Sequence, residues 1–134
     1  MPARLIIGLL LTLFAAGCGN RTLYPVRGQI VDKAGAPVTG LKGYTVEFDN
    51  IDFKISANGV VDETGNFRLS ASSPNDGAHH GQHRVAILRP DSSTDMRVPF
   101  VIHPKYEKFE TSGLTATVEK RDNVVKLEVE LFKR

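Results

Sequence analysis

The chain has 134 residues with 17 lysine and arginine against 15 aspartate and glutamate residues, a formal net charge of +2. The charges are interspersed and form no basic block, which argues against nucleic acid as a partner and against a polybasic membrane patch. Cys18 is the only cysteine, so an intramolecular disulfide is excluded.

The N-terminal segment has the pattern of a secretory signal peptide. Arg4 is the only charged side chain before an apolar run over residues 5–16, and a positive start followed by about a dozen apolar residues is typical of an export signal. A membrane-spanning helix needs roughly 20 apolar residues to cross the hydrocarbon core, which is more than this run offers. The pattern predicts export, followed by removal of residues 1–17.

The end of this segment resembles the lipobox of bacterial lipoproteins. Residues 15–18 read Ala-Ala-Gly-Cys, with Ala15 at the position where leucine is usual. In that family the cysteine thiol receives a diacylglyceryl group, signal peptidase II cuts in front of the cysteine, and the freed amine is commonly acylated. The resemblance therefore implies cleavage between Gly17 and Cys18 and a lipid on Cys18. The alternative is an ordinary signal peptide with a chance cysteine near the cut.

A lipid on Cys18 predicts that the domain stays close to a bacterial membrane. Two or three acyl chains, at about 0.8 kcal/mol per buried CH₂, anchor a protein stably, whereas a single chain binds marginally. Residues 18–23 form a short tether, because five extended residues reach about 18 Å at most. Gly19, in place of aspartate, favours the outer membrane under the sorting rule of some enteric bacteria. We expect a cell-envelope location, facing the periplasm or the exterior.

Residues 24–134 have the pattern of a single all-β domain. Apolar and polar residues alternate with period two, and turn-forming residues interrupt them about every eight to twelve positions. The 117 residues left after removal of residues 1–17 from the 134 can bury a core without disulfides or metal. We expect two stacked antiparallel sheets with their apolar faces buried. The predicted inward-facing sets, in chain order, are Tyr24, Val26, Gly28 and Ile30; Tyr44, Val46 and Phe48; Ile51, Phe53 and Ile55; Phe67, Leu69 and Ala71; Val85 and Ile87; Met96, Val98, Phe100 and Ile102; Leu114, Ala116 and Val118; and Val125, Leu127, Val129 and Leu131.

Aspartate–glycine turns separate some of these strands. The first follows Asp32, and the second spans residues 62–67. In the second, Asp62 can accept hydrogen bonds from the turn's own backbone, and Gly65 supplies the positive φ that a bulged turn needs. Binding functions usually lie on the longer loops of a rigid scaffold, and the longest irregular stretches here are residues 72–81, 90–95 and 103–113.

Several segments in order resemble carboxypeptidase regulatory-like (transthyretin-like) domains. Residues 62–67 match the Asp-x-x-Gly-x-Phe turn of these domains, and residues 81–85 resemble their Gly-x-Tyr-x-Val strand entry, with His83 in place of the aromatic residue. The resemblance covers nearly all of residues 24–132. It implies a single antiparallel, seven-stranded, prealbumin-like or Ig-like β-sandwich that acts as an accessory, structural or interaction module without known catalysis. The remaining similar segments are residues 26–32, 35–38, 46–48, 104–106 and 111–115.

One enzymatic branch of the transthyretin-like proteins is excluded by the C-terminus. The hydroxyisourate hydrolases end in Tyr-Arg-Gly-Ser, whereas this chain ends in Leu-Phe-Lys-Arg at residues 131–134. No other catalytic constellation stands out, since the serines lack a nucleophile-elbow pattern and charged residues at strand ends are usually solvated. The carboxylates and serines that could be imagined in a catalytic role are Asp49, Asp52, Glu107, Glu110, Ser72, Ser73, Ser92 and Ser93.

One cluster has the composition of a metal site. Imidazoles at His79, His80 and His83 could hold Zn²⁺ with a carboxylate such as Asp76 or with water, and His103 could join if the fold brought it near. Against this, adjacent histidines in an extended chain point to opposite sides, and the loop is glycine-rich. The interpretation that we favour is therefore solvated loop histidines, with no metal and no cofactor.

Two aromatic residues in the last long loop offer another alternative. Tyr106 and Phe109 could form an exposed platform for a sugar or a peptide, although such residues more often pin a crossover loop onto a sandwich. Exposed edge strands could also pair with an extended segment of a partner. The sequence thus predicts a membrane-anchored, non-enzymatic lipoprotein acting as an interaction or structural module, with an envelope protein or a glycan as candidate partner. Metal binding and carbohydrate binding are the alternatives.

Overall fold

A computed structural model of the chain describes residues 22–90 and 98–134. The predicted signal peptide, Cys18 and residues 18–21 of the tether lie outside this part, as do Ser92, Ser93 and Met96. The described residues form nine strands, a 3₁₀ turn at Pro104–Glu107 and a single-turn helix, α1, at Phe109–Ser112. None of the helices among them is long and apolar enough to cross a membrane. The strands are β1 Leu23–Tyr24, β2 Val26–Val31, β3 Thr45–Asn50, β4 Ser56–Val60, β5 Asn66–Arg68, β6 Ala78–His79, β7 Gly81–Leu88, β8 Leu114–Val118 and β9 Asn123–Glu128.

The strands build three sheets, and the two larger ones are consistent with an all-β sandwich. The largest has the order β4-β3-β7-β8 and is antiparallel throughout, the second has the order β5-β2-β9, and the short strands β1 and β6 pair with each other. Strands β2 and β9 run parallel, from Val26 beside Asn123 to Val31 beside Glu128. The expectation of purely antiparallel sheets is therefore wrong for this pair. Residue alternation encodes which face is buried and not the direction of the neighbouring strand.

One core takes side chains from both larger sheets. Ile30, Phe48, Val85 and Leu127 are almost completely buried in the same cluster, and the β-branched and aromatic residues of these strands suit a pleated, packed surface. Gly28 on β2 is required by this packing, since a Cβ there would lie 2.3 Å from the ring of Phe67. The predicted inward positions on β2, β3, β5 and β7 are confirmed by this burial.

The predicted strand over Ile51, Phe53 and Ile55 is wrong. These side chains are 49, 55 and 42% exposed, and residues 51–53 form a turn between β3 and β4. The cause is Asn50 at the end of β3, whose side-chain oxygen accepts the backbone N–H groups of the two residues after Ile51. That hydrogen bonding favours a turn over a strand ladder.

Two further predictions fail near the C-terminus. Residues 98–101 form no strand, and Ile102 makes only an isolated bridge with Leu131. Leu131, predicted to face inward, is 47% exposed. The alternating pattern of β9 ends after Val129. The reason is that the hydroxyl of buried Tyr106, and not a neighbouring strand, accepts the backbone N–H of Glu130 at 2.8 Å.

Candidate functional site

The strand registers define two ends of the sandwich. Asn50 on β3 pairs with His83 on β7, while Thr45 at the other end of β3 pairs with Val60 on β4. We call the end with residues 22–25, 51–55, 71–81 and 119–122 the entry end, because the described chain begins there. The opposite end, with the turns at residues 32–36 and 62–65, is the far end.

Buried Asn50 organises the entry end. Its side-chain oxygen accepts the backbone N–H groups of Asp52 and Phe53 at 3.0 and 2.9 Å, and its side-chain nitrogen donates to the carbonyl of His80 at 3.1 Å. The backbone of Asn50 also pairs with Ile55 and Lys54 at 3.0 Å each. One fully buried amide therefore joins the β3–β4 turn to the loop before β7.

The turn that Asn50 holds presents apolar side chains to solvent. We call the exposed residues Ile51, Phe53 and Ile55 the apolar turn. Lys54 adopts a φ of 52°, a left-handed conformation that is uncommon for a residue with a side chain. The Phe53 ring lies 6.1 Å from the ring of His79 and 6.2 Å from that of His80. The turn is thus a fixed structure that displays large apolar groups.

His83 is a buried residue of β7 and not the solvated loop histidine that we expected. It is 0% exposed, its ring lies 5.6 Å from that of Phe48, and Nε2 lies 2.7 Å from the carbonyl oxygen of His79. Because a carbonyl only accepts, Nε2 carries the proton, and Nδ1 has no described partner. Burial lowers the pKa of His83, against smaller opposing effects of the His79 carbonyl and the Asp49 charge. The ring is therefore neutral at pH 7.

The histidine cluster does not converge on a point where a metal could bind. Within residues 22–90 and 98–134, no group of three or more histidine, cysteine, aspartate or glutamate residues is placed to hold a metal ion. Asp76 is engaged in its own loop, where it accepts the N–H groups of Ala71, Ser72 and Ser73 at 2.6, 3.0 and 2.7 Å. Partial burial raises the pKa of Asp76, but these donors outweigh that effect and lower it. His103 lies at the far end, where its Nδ1 accepts the N–H of Lys105.

The proposed aromatic platform is wrong, because Tyr106 is 3% exposed. Its hydroxyl holds the backbone of Glu130, as described above, so this residue pins the loop onto the sandwich. Phe109 is partly buried and lies under the guanidinium of Arg84, 5.2 Å from the ring centre. The two aromatic residues therefore do not form a shared exposed surface.

The carboxylates considered for acid–base catalysis are engaged in ion pairs or exposed. Asp49 binds Arg84 at 2.8 Å and Glu107 binds Arg89 at 2.5 Å. Asp52 is exposed on the apolar turn. Such surface pairs stabilise a fold by about 0–1 kcal/mol each, and the geometry assigns them no reaction.

In the two larger sheets, β8 and β9 each end a sheet with no further strand beside them among residues 22–90 and 98–134, and the two strands differ in charge. On β4 the outer edge is covered, because Asn58 exchanges hydrogen bonds with Ser70 at 2.8 and 3.0 Å. Strand β9 ends its sheet and carries the exposed charges Lys126 and Glu128, which protect an edge against unwanted pairing. Strand β8 also ends its sheet, but its sequence Leu-Thr-Ala-Thr-Val contains no charge.

Two open grooves border these elements. The larger, of about 810 Å³, lies on the sheet of β5, β2 and β9 beside β4, and the second, of about 670 Å³, lies at the far end beside Asp32 and Phe132. Both are open surface features. The far-end groove is lined by titratable residues, of which Lys33 and Glu130 form an ion pair at 3.3 Å. Neither groove was foreseen from the sequence.

Comparison with known proteins gives one similar structure. No protein-family model matches the chain, and no curated protein matches it. Among solved structures, a crystal structure of a DUF3823 family protein from Parabacteroides merdae is similar, with 17% identity over 82% of this chain and a TM-score of 0.46. The match covers 47% of that protein, so this chain spans about half its length.

Proposed function

We propose that the protein is a bacterial lipoprotein, anchored to a cell-envelope membrane through lipid on Cys18, whose β-sandwich acts without catalysis as an interaction or structural module. The observation that carries the proposal is the sequence Ala-Ala-Gly-Cys directly after an apolar export segment. The sandwich faces the periplasm or the exterior, and Gly19 favours the outer membrane. Residues 1–17 are removed, residues 18–23 are the lipidated tether, and residues 24–134 are the module.

We further propose that the module is a prealbumin-like, carboxypeptidase regulatory-like domain. Support comes from the sheets of four and three strands, which together hold seven strands, with β1 and β6 as an added pair. The turn after Asp62 also supports it, because Gly65 has a φ of 80° and Asp62 accepts the N–H groups of Thr64 and Asn66 at 2.9 Å each.

The surface that we propose for an envelope partner is the uncharged outer edge of β8. An extended segment that adds to an edge gains main-chain hydrogen bonds, and alternate side chains supply specificity. Thr115 and Thr117 are exposed on this strand, so a partner segment would meet hydroxyl and methyl groups rather than charges. No described contact favours metal or glycan binding over this surface.

In-cell photocrosslinking tests the proposal. A photoreactive amino acid at Thr117 on β8 is expected to capture one envelope protein, and the same group at Val124 on the charged edge β9 is the matched control. Capture should be lost in Cys18→Ser, which removes the anchor, and in Thr115→Lys, which charges the edge. Palmitate incorporation that persists in Cys18→Ser, or equal capture from Val124, would contradict the proposal.

A further inference from the structure

The apolar turn exposes three large side chains that the fold does not need to expose. Asn50 fixes the turn through its own side chain and backbone, and neither contact requires Ile51, Phe53 or Ile55 to be apolar. Scattered exposed apolar residues are ordinary on a protein surface, but a contiguous group is a mark of an interaction site. We therefore expect these three side chains to contact a molecule outside the domain.

The other large exposed apolar residues are Val60, Val124, Leu131 and Phe132. Leu131 and Phe132 are adjacent and line the far-end groove, but they do not lie on a tight turn. Val60 and Val124 lie singly on strands, and Phe132 packs against Phe100 at 5.2 Å between ring centres. Leu131 lies in the C-terminal segment and is held by its bridge to Ile102. Within the part of the chain that the structure describes, the entry end alone presents a tight turn with several exposed large apolar side chains.

A chain of ring contacts connects the apolar turn to the start of the described chain. Phe53 lies 6.2 Å from His80, and His80 lies 6.3 Å from Tyr24. Tyr24 belongs to β1, which pairs with β6 and so fixes the first described strand on this end. The five residues 19–23 extend no more than roughly 18 Å. The proposed lipid therefore has to enter its membrane near the apolar turn.

We propose that the apolar turn inserts into the phospholipid headgroup region of the membrane that holds Cys18, so that the entry end rests on the bilayer. This inference rests on the proposed lipidation. Because the tether keeps the turn at high local concentration near the bilayer, a contact that is weak by itself suffices to orient the domain. The far end then points away from the membrane, and the β8 edge, which runs between the two ends, stays accessible from the side.

The charges near the turn indicate which lipids the contact needs. Lys54, Lys120 and Arg121 are exposed at the entry end, and so are Asp52, Glu119 and Asp122. Asp76 adds a negative charge in the same region, and the exposed Arg27 and Arg68 line a groove with Asp122. Arg121 also pairs with Glu119. Because charges of both signs are interspersed here and form no basic cluster, insertion is driven by the apolar side chains and does not depend on anionic lipid.

A probe on the turn tests this orientation in the intact lipidated protein. The single native cysteine is consumed by lipid, so an introduced cysteine takes an environment-sensitive fluorophore selectively. The test position is Ile55→Cys on the turn, and the matched control is Val60→Cys, an exposed apolar position at the other end of the same hairpin. Vesicles of phosphatidylcholine, with and without phosphatidylglycerol, carry a quencher on the lipid acyl chains.

The expected result is a blue shift and quenching at position 55 and neither at position 60, in both kinds of vesicle. Adding Phe53→Ser should reduce the response at position 55 while the protein still floats with the vesicles. Flotation with equal responses at both positions overturns the orientation and leaves the lipid anchor standing. Failure to float overturns the lipid anchor and the orientation together. A probe at position 55 that is shielded from water but not quenched by lipid would show a second copy of the chain as the occupant instead.

Discussion

The two ends of the sandwich use the same local device to turn the chain, but they display different side chains. At the far end, Asp32 accepts the N–H groups of Ala34 and Ala36 at 2.9 and 3.0 Å, and Asp62 makes the corresponding turn toward Asn66. At the entry end, Asn50 accepts two N–H groups in the same manner. The far turns show polar or small residues, whereas the entry turn shows isoleucine and phenylalanine.

The difference in exposed side chains shows that the hydrogen bonds that form a turn do not determine which side chains the turn displays. The far-end turns are mostly exposed to solvent. Exposed ion pairs lie beside them, such as Lys42 with Glu63 at 2.9 Å and Lys33 with Glu130 at 3.3 Å. Such pairs contribute little to stability. The same side-chain-to-backbone bonding works there with polar residues, so this bonding alone does not account for the apolar residues at the entry end, and the membrane contact that we propose does.

Removing the turn-forming side chain of Asn50 or of Asp32 should lower the free energy of unfolding by different amounts at the two ends. Asn50→Ala leaves the carbonyl of His80 and two turn amides without their partner, and the side chain is fully buried. We expect a loss of about 2–4 kcal/mol in the free energy of unfolding. Asp32→Ala, which removes the matched far-end acceptor, should cost about 1 kcal/mol.

Urea unfolding of the mature, non-lipidated chain carrying Cys18→Ser measures both changes. Equal costs for Asn50→Ala and Asp32→Ala would contradict the conclusion that the entry end depends on one buried amide for its shape.

The entry end should also lose stability in mild acid. Burial lowers the pKa of His83 from the ordinary value of 6.5, so below about pH 6.5 the unfolded chain takes up a proton that the folded chain does not. Stability should therefore fall as the pH drops, by up to about 1.4 kcal/mol per pH unit, until the folded pKa is reached. Partial burial raises the pKa of Asp76, but hydrogen bonds from Ala71, Ser72 and Ser73 lower it below the ordinary value of an aspartate, so this group titrates outside the window.

Denaturation at a series of pH values, in wild type and His83→Phe, checks this. The variant should lose the slope below pH 6.5 that is assigned to the buried ring, whereas His103→Gln at the exposed far end should keep it. A slope that persists unchanged in His83→Phe would contradict this assignment.

The smallest effect on stability is expected at the most exposed residue of the apolar turn. Phe53→Ser removes a ring that is 55% exposed, so the free energy of unfolding should change by no more than about 0.5 kcal/mol. Thermal unfolding of the same non-lipidated chain measures this. A loss as large as that of Asn50→Ala would mean that Phe53 is a structural residue, which would remove the reason for assigning it an external contact.

The sequence predicts the central strands better than the ends. Val46 and Phe48 are predicted correctly because a half-buried strand must alternate, and the Asp62 turn is predicted because aspartate and glycine have specific turn chemistry. The same alternation over residues 51–55 is misleading, since it looks identical on a strand and on a turn. The signal that distinguishes them is Asn50, a strong turn residue placed directly before the pattern.

Other features depend on contacts between distant parts of the chain. The burial of His83 depends on its place on β7 next to Phe48. The resemblance of residues 81–85 to a strand entry with an aromatic residue at position 83 pointed to this place, whereas the neighbouring histidines and glycines favoured a solvated loop. The parallel pairing of β2 with β9 joins segments about a hundred positions apart, and neither segment encodes the direction of the other. Tyr106 is buried because its hydroxyl accepts the backbone N–H of Glu130, and residue spacing does not predict this contact.

The most direct test of the membrane orientation compares the turns of the two ends in one experiment. Amide hydrogen exchange would be measured by mass spectrometry for the lipidated protein on phosphatidylcholine vesicles and for the non-lipidated Cys18→Ser chain in solution. The orientation predicts slower exchange for residues 51–55 on vesicles and unchanged exchange for residues 33–36 and 63–65. Protection confined to the far-end turns, or no change at residues 51–55 in a protein that remains bound to the vesicles, would contradict it.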